Sequence, residues 1–361
     1  MNLKNNLRII WAITAKDIAD AIKNKVVQGV LVGVAFMMLS SQALSLLIGL
    51  KDEPTAYFWD QGKSVIIKDI VRGHELNFHP QGDFVDLKNA VSLSVEPVLG
   101  IKIPADFDEK ITRDGSIHLQ AYRSHWVKPE TAGEVVLYFE DELTRITDTE
   151  IFIVVESNQL FPSAEGLGYP MMIALGMVMG VMIVGLILTP YLLVDERETH
   201  TLDAIMISPA RITHLLAGKS LVGLFYSLTA SLLIFVFSWR WIVHWDIIIM
   251  AVFLGGLCAV SIGLLVGTMI ETPTNVNMVS GLLIAGFLIP TFLWTSMAPK
   301  LSPFILSLIE LLPSIAMYEI VRQSFTDIPT MNVVWVNFAI LLIWIIVIMG
   351  AVGWRIRRLD R

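Results

Sequence analysis

The sequence predicts a polytopic α-helical membrane protein: six transmembrane helices, with an α+β extracytoplasmic domain inserted between the first and the second. Three observations predict it. The chain is 55% hydrophobic and only 16% charged, against roughly 25% charge in ordinary soluble domains. Six apolar runs approach the roughly 20 residues that a helix needs to cross a bilayer core. The charges are segregated: residues 50–169 hold 11 basic and 21 acidic side chains, net -10, which leaves 15 basic and 12 acidic elsewhere, net +3. This composition excludes a disordered chain and a basic nucleic-acid-binding module. One cysteine, Cys258, excludes an intrachain disulfide.

Residues 1–25 form an amphipathic helix rather than a span. Leu3, Leu7, Ile10, Trp11, Thr14, Ile18 and Ile22 recur at helical spacing, while Lys4, Arg8, Lys16, Asp17 and Asp20 take other faces. Such a helix lies in the inner membrane interface, or packs on another cytoplasmic part. Residues 26–50 are the first span. A cleaved signal peptide is not expected, because the apolar run starts only after 25 residues and continues well past the length of a signal core.

Residues 51–169 are the inserted domain. Glu134–Ile146 reads as a helix with Val135, Val136, Phe139 and Leu143 on its apolar face, and Ile151–Val155 as a strand. Asp114-Gly115, flanked by Ile111 and Ile117, predicts a β-hairpin. With no cysteine, packing alone must hold this domain.

Residues 170–361 carry the other five spans: Pro170–Val194, Leu215–Phe237, Ile247–Ile270, Met278–Met297 (interrupted by Pro290) and Val333–Trp354. Backbone polar groups have no water in hydrocarbon, so spans of this length are helices. Between the fifth and sixth, residues 298–330 form an outer re-entrant segment, its apolar part Leu301–Leu312 bounded by Pro299, Pro303 and Pro313; Glu310, Glu319 and Arg322 read as solvated loop charge ahead of a place in a transport path. Basic clusters precede the first span, join the second to the third, and follow the sixth. The bias of Lys and Arg to the inner side puts all three, and both termini, in the cytoplasm. Trp239, Trp241 and Trp245 then mark an outer aromatic belt. Gly29/Gly33, Gly176/Gly180 and Gly263/Gly267 are small-residue pairs that let helices approach closely. No carboxylate, His or Lys falls at mid-bilayer, which argues against a proton relay inside the chain.

Chemistry is sparse. Gly218-Lys219-Ser220 imitates the end of a phosphate-binding loop, but Thr213 stands where that loop needs glycine, and no strand precedes it. The seven histidines form no catalytic or metal-ligand pattern. His74 and His79, beside Glu75 and Asp83, read as surface polar residues.

The segment joining the second and third spans, residues 195–214, is the informative one. It is a charged turn, then a short helix with Thr201 as N-cap and Asp203 in the first turn, where the helix dipole favours an acid. Leu202, Ile205 and Met206 share one apolar face, and Pro209 ends the helix. Such a helix is a docking surface, or it lies on the membrane. This stretch resembles the permease subunits of type-2 ABC exporters, the ABC-2 family. Their cytoplasmic loop reads approximately Glu-x-Glu-x-Gly-Thr-Leu-Glu-x-Leu-x-x-Ser-Pro, with Gly-Lys before the next span. Glu196, Glu198, Thr201, Leu202, Asp203, Ser208, Pro209, Gly218 and Lys219 match in register; His200 stands where the family often has glycine. The whole layout, including Gly100-Ile101-Lys102-Ile103-Pro104-Ala105-Asp106-Phe107, is similar to the subgroup with a large first extracellular loop.

The resemblance implies a permease in the plasma (cell inner) membrane that forms the translocation pathway as a homo- or heterodimer, among membrane lipids and without nucleic acid. It implies no enzyme activity and no cofactor in this chain: separate cytoplasmic ATPase subunits would bind ATP and Mg. Glu196, Arg197, Glu198, Thr201, Leu202, Asp203, Ile205, Met206, Ser208 and Pro209 would couple to them. Three other readings remain: a membrane-anchored ligand-binding sensor or scaffold, a polytopic membrane enzyme, and extrusion of sodium or another small ion instead of a drug or lipid.

Overall fold

A computed structural model describes residues 3–25, 27–36, 54–73, 76–113, 116–157, 159–164, 166, 168–198, 212–297 and 302–359. The chain divides into two compact units, one of long helices and one built on a sheet.

The helical unit starts with α1 (Leu3–Lys23) and a short apolar helix, α2 (Val27–Phe36). After the insert come α7 (Tyr169–Ile183), a π-helical turn (Val184–Leu188) and α8 (Thr189–Glu198). Then follow α9 (Ile212–Ser238), α10 (Trp245–Met269), α11 (Pro273–Met297), α12 (Pro303–Ile309), α13 (Pro313–Gln323) and α14 (Met331–Leu359). Among the described residues, five helices are long and apolar enough to cross a membrane: Tyr169–Glu196, Thr213–Ser238, Trp245–Met269, Pro273–Ser296 and Met331–Arg358. These overlie the second to sixth expected spans. The first expected span, Val26–Leu50, is represented only by α2, and its remainder lies outside the described residues. The proline-bounded segment is two helices, α12 and α13, bent by 87°. Proline at the first turn of each and Ser302 capping the first explain the break, since proline suits a helix start and ends whatever precedes it.

α10 is the centre of this unit, and 72% of its apolar window is buried. Glycine makes that possible. A Cβ on Gly263 would lie 2.4 Å from the carbonyl oxygen of Gly185, and one on Gly267 would press on Pro190 and Leu193. This predicted pair is therefore an interhelical seam. Gly29 and Gly33 meet nothing within 4 Å, and Gly180 makes only ordinary contacts. The tryptophans also divide: Trp239 and Trp245 are exposed, as a belt requires, but Trp241 is buried.

The second unit is an α+β sandwich. Its five strands are β1 (Ala56–Asp60), β2 (Phe78–Pro80), β3 (Leu99–Ile103), β4 (Ser116–Arg123) and β5 (Glu150–Val155), in the order β2-β1-β3-β4-β5. All neighbours are parallel except β3 and β4. Alternation along β4 buries Ile117, Leu119 and Ala121 on one face, where α3 (Val65–Gly73) and α6 (Pro129–Thr147) cover them. The other face carries α4 (Phe84–Leu93) through Leu87 and Val91. Gly100 lets α4 approach, because a Cβ there would lie 2.6 Å from Val91.

The expected helix and the expected β5 are both present, with Val135, Val136, Phe139 and Leu143 buried. The expected hairpin is not. α5 (Phe107–Arg113) runs up to the Asp-Gly pair, which therefore joins a helix to β4. Two i,i+4 ion pairs, Asp106–Lys110 and Glu109–Arg113, favour the helix. The hairpin pattern reads alternation on the strand side only, and Ile111 belongs to a helix instead.

Candidate functional site

Among the described residues of the helical unit, a buried polar cluster joins three elements. Lys219 on α9 places its Nζ 2.9 Å from a carboxylate oxygen of Asp17 on α1 and 2.8 Å from one of Glu196 on α8. The Lys219, Asp17 and Glu196 side chains are 3%, 6% and 10% exposed, so the triad is withdrawn from water. Its formal charge is one negative unit. Glu196 lies on α8, buried beside α9. The Lys219 ammonium that α9 brings there compensates part of the buried negative charge.

Sequence explains how α1 comes so near. Gly218 faces Ile13, and a Cβ at Gly218 would stand 2.7 Å from the Ile13 methyl. Thr14 Oγ1 donates to its own helix at Ile10 O (2.8 Å) and lies 3.4 Å from the carbonyl of Gly218. One helical turn on, the Tyr226 hydroxyl donates to Ile18 O at 2.9 Å. Glycine therefore provides approach and lysine provides charge, so adjacent residues of the Gly-Lys pair do two jobs at one seam.

The triad brackets the segment singled out by the sequence. Of the predicted coupling residues, Glu196 sits in the triad, and Arg197 and Glu198 complete α8. Thr201, Leu202, Asp203, Ile205, Met206, Ser208 and Pro209 lie outside the described residues. Asp17 was not among the expected site residues. Its signal was position: Ile10, Ile13, Thr14 and Asp17 follow helical spacing on one face. The apolar stripe read from sequence instead leaves Leu7, Trp11 and Ile22 exposed, as a helix in a membrane interface would leave them.

A second cluster links α11 and α13. Trp294 Nε1 donates to Glu319 Oε1 at 2.9 Å, and Arg322 Nη1 donates to the same oxygen at 3.0 Å. Glu319 and Arg322 are each only 16% exposed, so they are not the solvated loop charges expected; only Glu310 is exposed. Their environment comes from α13 folding back onto α11, which no local pattern encodes. Beside them, Thr291 Oγ1 and Ser314 Oγ both donate to the carbonyl of Phe287, one turn from Pro290. Among the described residues, no group of three His, Cys, Asp or Glu side chains could hold a metal ion.

Five long apolar helices around a glycine-lined centre, with a sheet-bearing insert, define a multi-pass membrane protein. The family model described as "ABC-2 family transporter protein" matches residues 89–354. That is most of the chain, and the protein belongs to the ABC-2 transporter family as a membrane permease. A comparison with curated proteins returns no match.

Proposed function

We propose that the chain is one of two permease subunits of an exporter, in the plasma (cell inner) membrane with both termini in the cytoplasm. Two separate cytoplasmic ATPase subunits would bind ATP and Mg and drive it. The family match over residues 89–354 carries this reading. The residues add to it. The segment between α8 and α9 carries an acidic turn and the apolar positions Leu202, Ile205 and Met206, the make-up of a short docking helix. Its two roots meet through Glu196 and Lys219, so a push on the segment reaches two spans together. α11 and α14 leave most of their apolar windows uncovered by the chain itself, only 22% being buried in each. Lipid and a second permease subunit would cover that surface.

In this reading the permease does no covalent chemistry. Its contribution is a difference in contact with substrate between two membrane conformations, because only differential affinity can shift such an equilibrium.

The test is copurification from membranes. Wild-type permease is expected to carry its ATPase through purification, and the Leu202→Asp/Ile205→Asp variant to lose it. Undiminished association in that variant overturns the docking role. In intact cells, a thiol probe that cannot cross the bilayer should fail to label Ser208→Cys; labelling from outside overturns the topology.

A further inference from the structure

We propose that Lys219 is a positioning residue that latches the N-terminal helix α1 to α8 and α9, so that α1, the Glu196 turn of α8 and the Lys219 turn of α9 move as one body during the transport cycle. The inference rests on the coupling role proposed above. Three observations carry it.

The first is connectivity. Lys219 is the one group of the triad that touches both others, at 2.9 Å to Asp17 and 2.8 Å to Glu196. Asp17 belongs to α1, and Glu196 and Lys219 stand at the two ends of the bracketed segment. The latch therefore joins an element far away in sequence to both α8 and α9.

The second is what surrounds the latch. The contacts between α1 and α9 run along both helices: Ile13 faces Gly218 and packs against the cluster that holds Leu215 and Leu216, Thr14 lies near the Gly218 carbonyl, and Ile18 packs against the cluster of Val222 and Tyr226, whose hydroxyl donates to Ile18 O. α1 presents Leu7, Trp11 and Ile22 away from this seam. Apolar packing holds α1 on α9, and Lys219 adds the charged contact that ties α1 to α8 as well, through Asp17 and Glu196.

The third is the charge. Buried ion pairs contribute little to net stability, because desolvation offsets attraction, whereas an uncompensated buried charge is strongly unfavourable. The triad has two acids and one base. Neutralising Asp17 leaves a matched Lys219–Glu196 pair, so the bundle is expected to persist while α1 loses its anchor. Neutralising Lys219 leaves two buried carboxylates and opens both contacts. Latching and stability are therefore separable by the choice of residue, which a cluster serving only stability would not allow.

The experiment uses the full-length permease purified with its ATPase in lipid nanodiscs. Spin labels are placed at Ala15→Cys on α1 and Leu221→Cys on α9, both exposed positions. The native Cys258 is buried and does not compete. Wild type should give one narrow distance distribution. Asp17→Asn should broaden it while the thermal midpoint stays unchanged, and should remove the stimulation of ATP hydrolysis by the permease. The conservative variant Lys219→Arg, which keeps the cation, should retain the narrow distribution that Lys219→Met loses. An unchanged distribution in both Asp17→Asn and Lys219→Met overturns the latch. A broadened distribution with unaltered stimulation overturns its part in coupling. If wild type binds no ATPase, the coupling reading fails, while the distances still report on the latch.

Discussion

The hydroxyl of Ser280 donates to the carbonyl of Leu186 at 2.7 Å, buried between α11 and the π turn that precedes α8. Leu186 is four residues before Pro190, which has no N–H to give back to it. A proline inside a span frees a carbonyl in a place without water, and a neighbouring helix answers with a hydroxyl. Another hydroxyl bond between helices forms near Pro290, where Ser314 on α13 donates to the carbonyl of Phe287.

Ser280→Ala should therefore weaken the bundle by about 0.6–1.7 kcal/mol, the range for hydrogen bonds between membrane helices. Pro190→Ala supplies an N–H to the same carbonyl, so Ser280→Ala should cost less in that background. A double-mutant cycle on the unfolding of detergent-solubilised permease measures the coupling. Equal costs in the two backgrounds would refute this account.

Close packing at α10 makes a second prediction. Gly263→Ala places a methyl 2.4 Å from the Gly185 carbonyl, which is backbone and cannot swing aside. Overpacking of this kind typically costs about 1–3 kcal/mol. Gly281→Ala meets nothing within 4 Å and should leave the thermal midpoint unchanged. The comparison of the two midpoints is the check.

Glu319 accepts from both Trp294 and Arg322 through one oxygen. Glu319→Ala should leave a half-buried guanidinium and an indole N–H without this acceptor, costing about 1–3 kcal/mol. Glu319→Gln retains an acceptor oxygen and should lose less. Trp294 fluorescence should shift in the alanine variant, read against Trp294→Phe. Equal losses for alanine and glutamine would count against the shared bond.

The inserted domain should be alkali-sensitive through Tyr57. Burial first, and the nearby charge of Glu96 second, push its phenol above the ordinary value of 10.0. The folded state thus favours the neutral phenol. Its contribution to stability is whole below the pKa of the unfolded chain and is lost as pH rises towards the folded pKa. Unfolding midpoints of wild type and Tyr57→Phe, followed from neutral pH upwards, should keep a constant difference until the alkaline range, where wild type falls relative to the variant. A pH-independent difference would refute the assignment.

Much of the architecture was already legible in the amino-acid order. The second to sixth spans follow from runs of apolar residues long enough for a bilayer, because hydrocarbon admits few other backbone solutions. β5 and the buried stripe of α6 follow from periods of two and 3.6 residues. Prolines placed the break between α12 and α13. All of these are local properties, and local physics suffices for them.

Only the folded chain decided the rest. Gly263 became a seam and Gly29 did not, since a missing side chain matters only where another backbone comes close. The Asp-Gly pair joined a helix to a strand because helical ion pairs on its N-terminal side outweighed the turn signal. Asp17, Glu196 and Lys219 lie far apart in sequence, and each alone reads as an ordinary charge at the edge of an apolar run. Their meeting depends on how α1 crosses α9, and a charge acquires its partner, and its energetic weight, only when distant helices exclude the water between them.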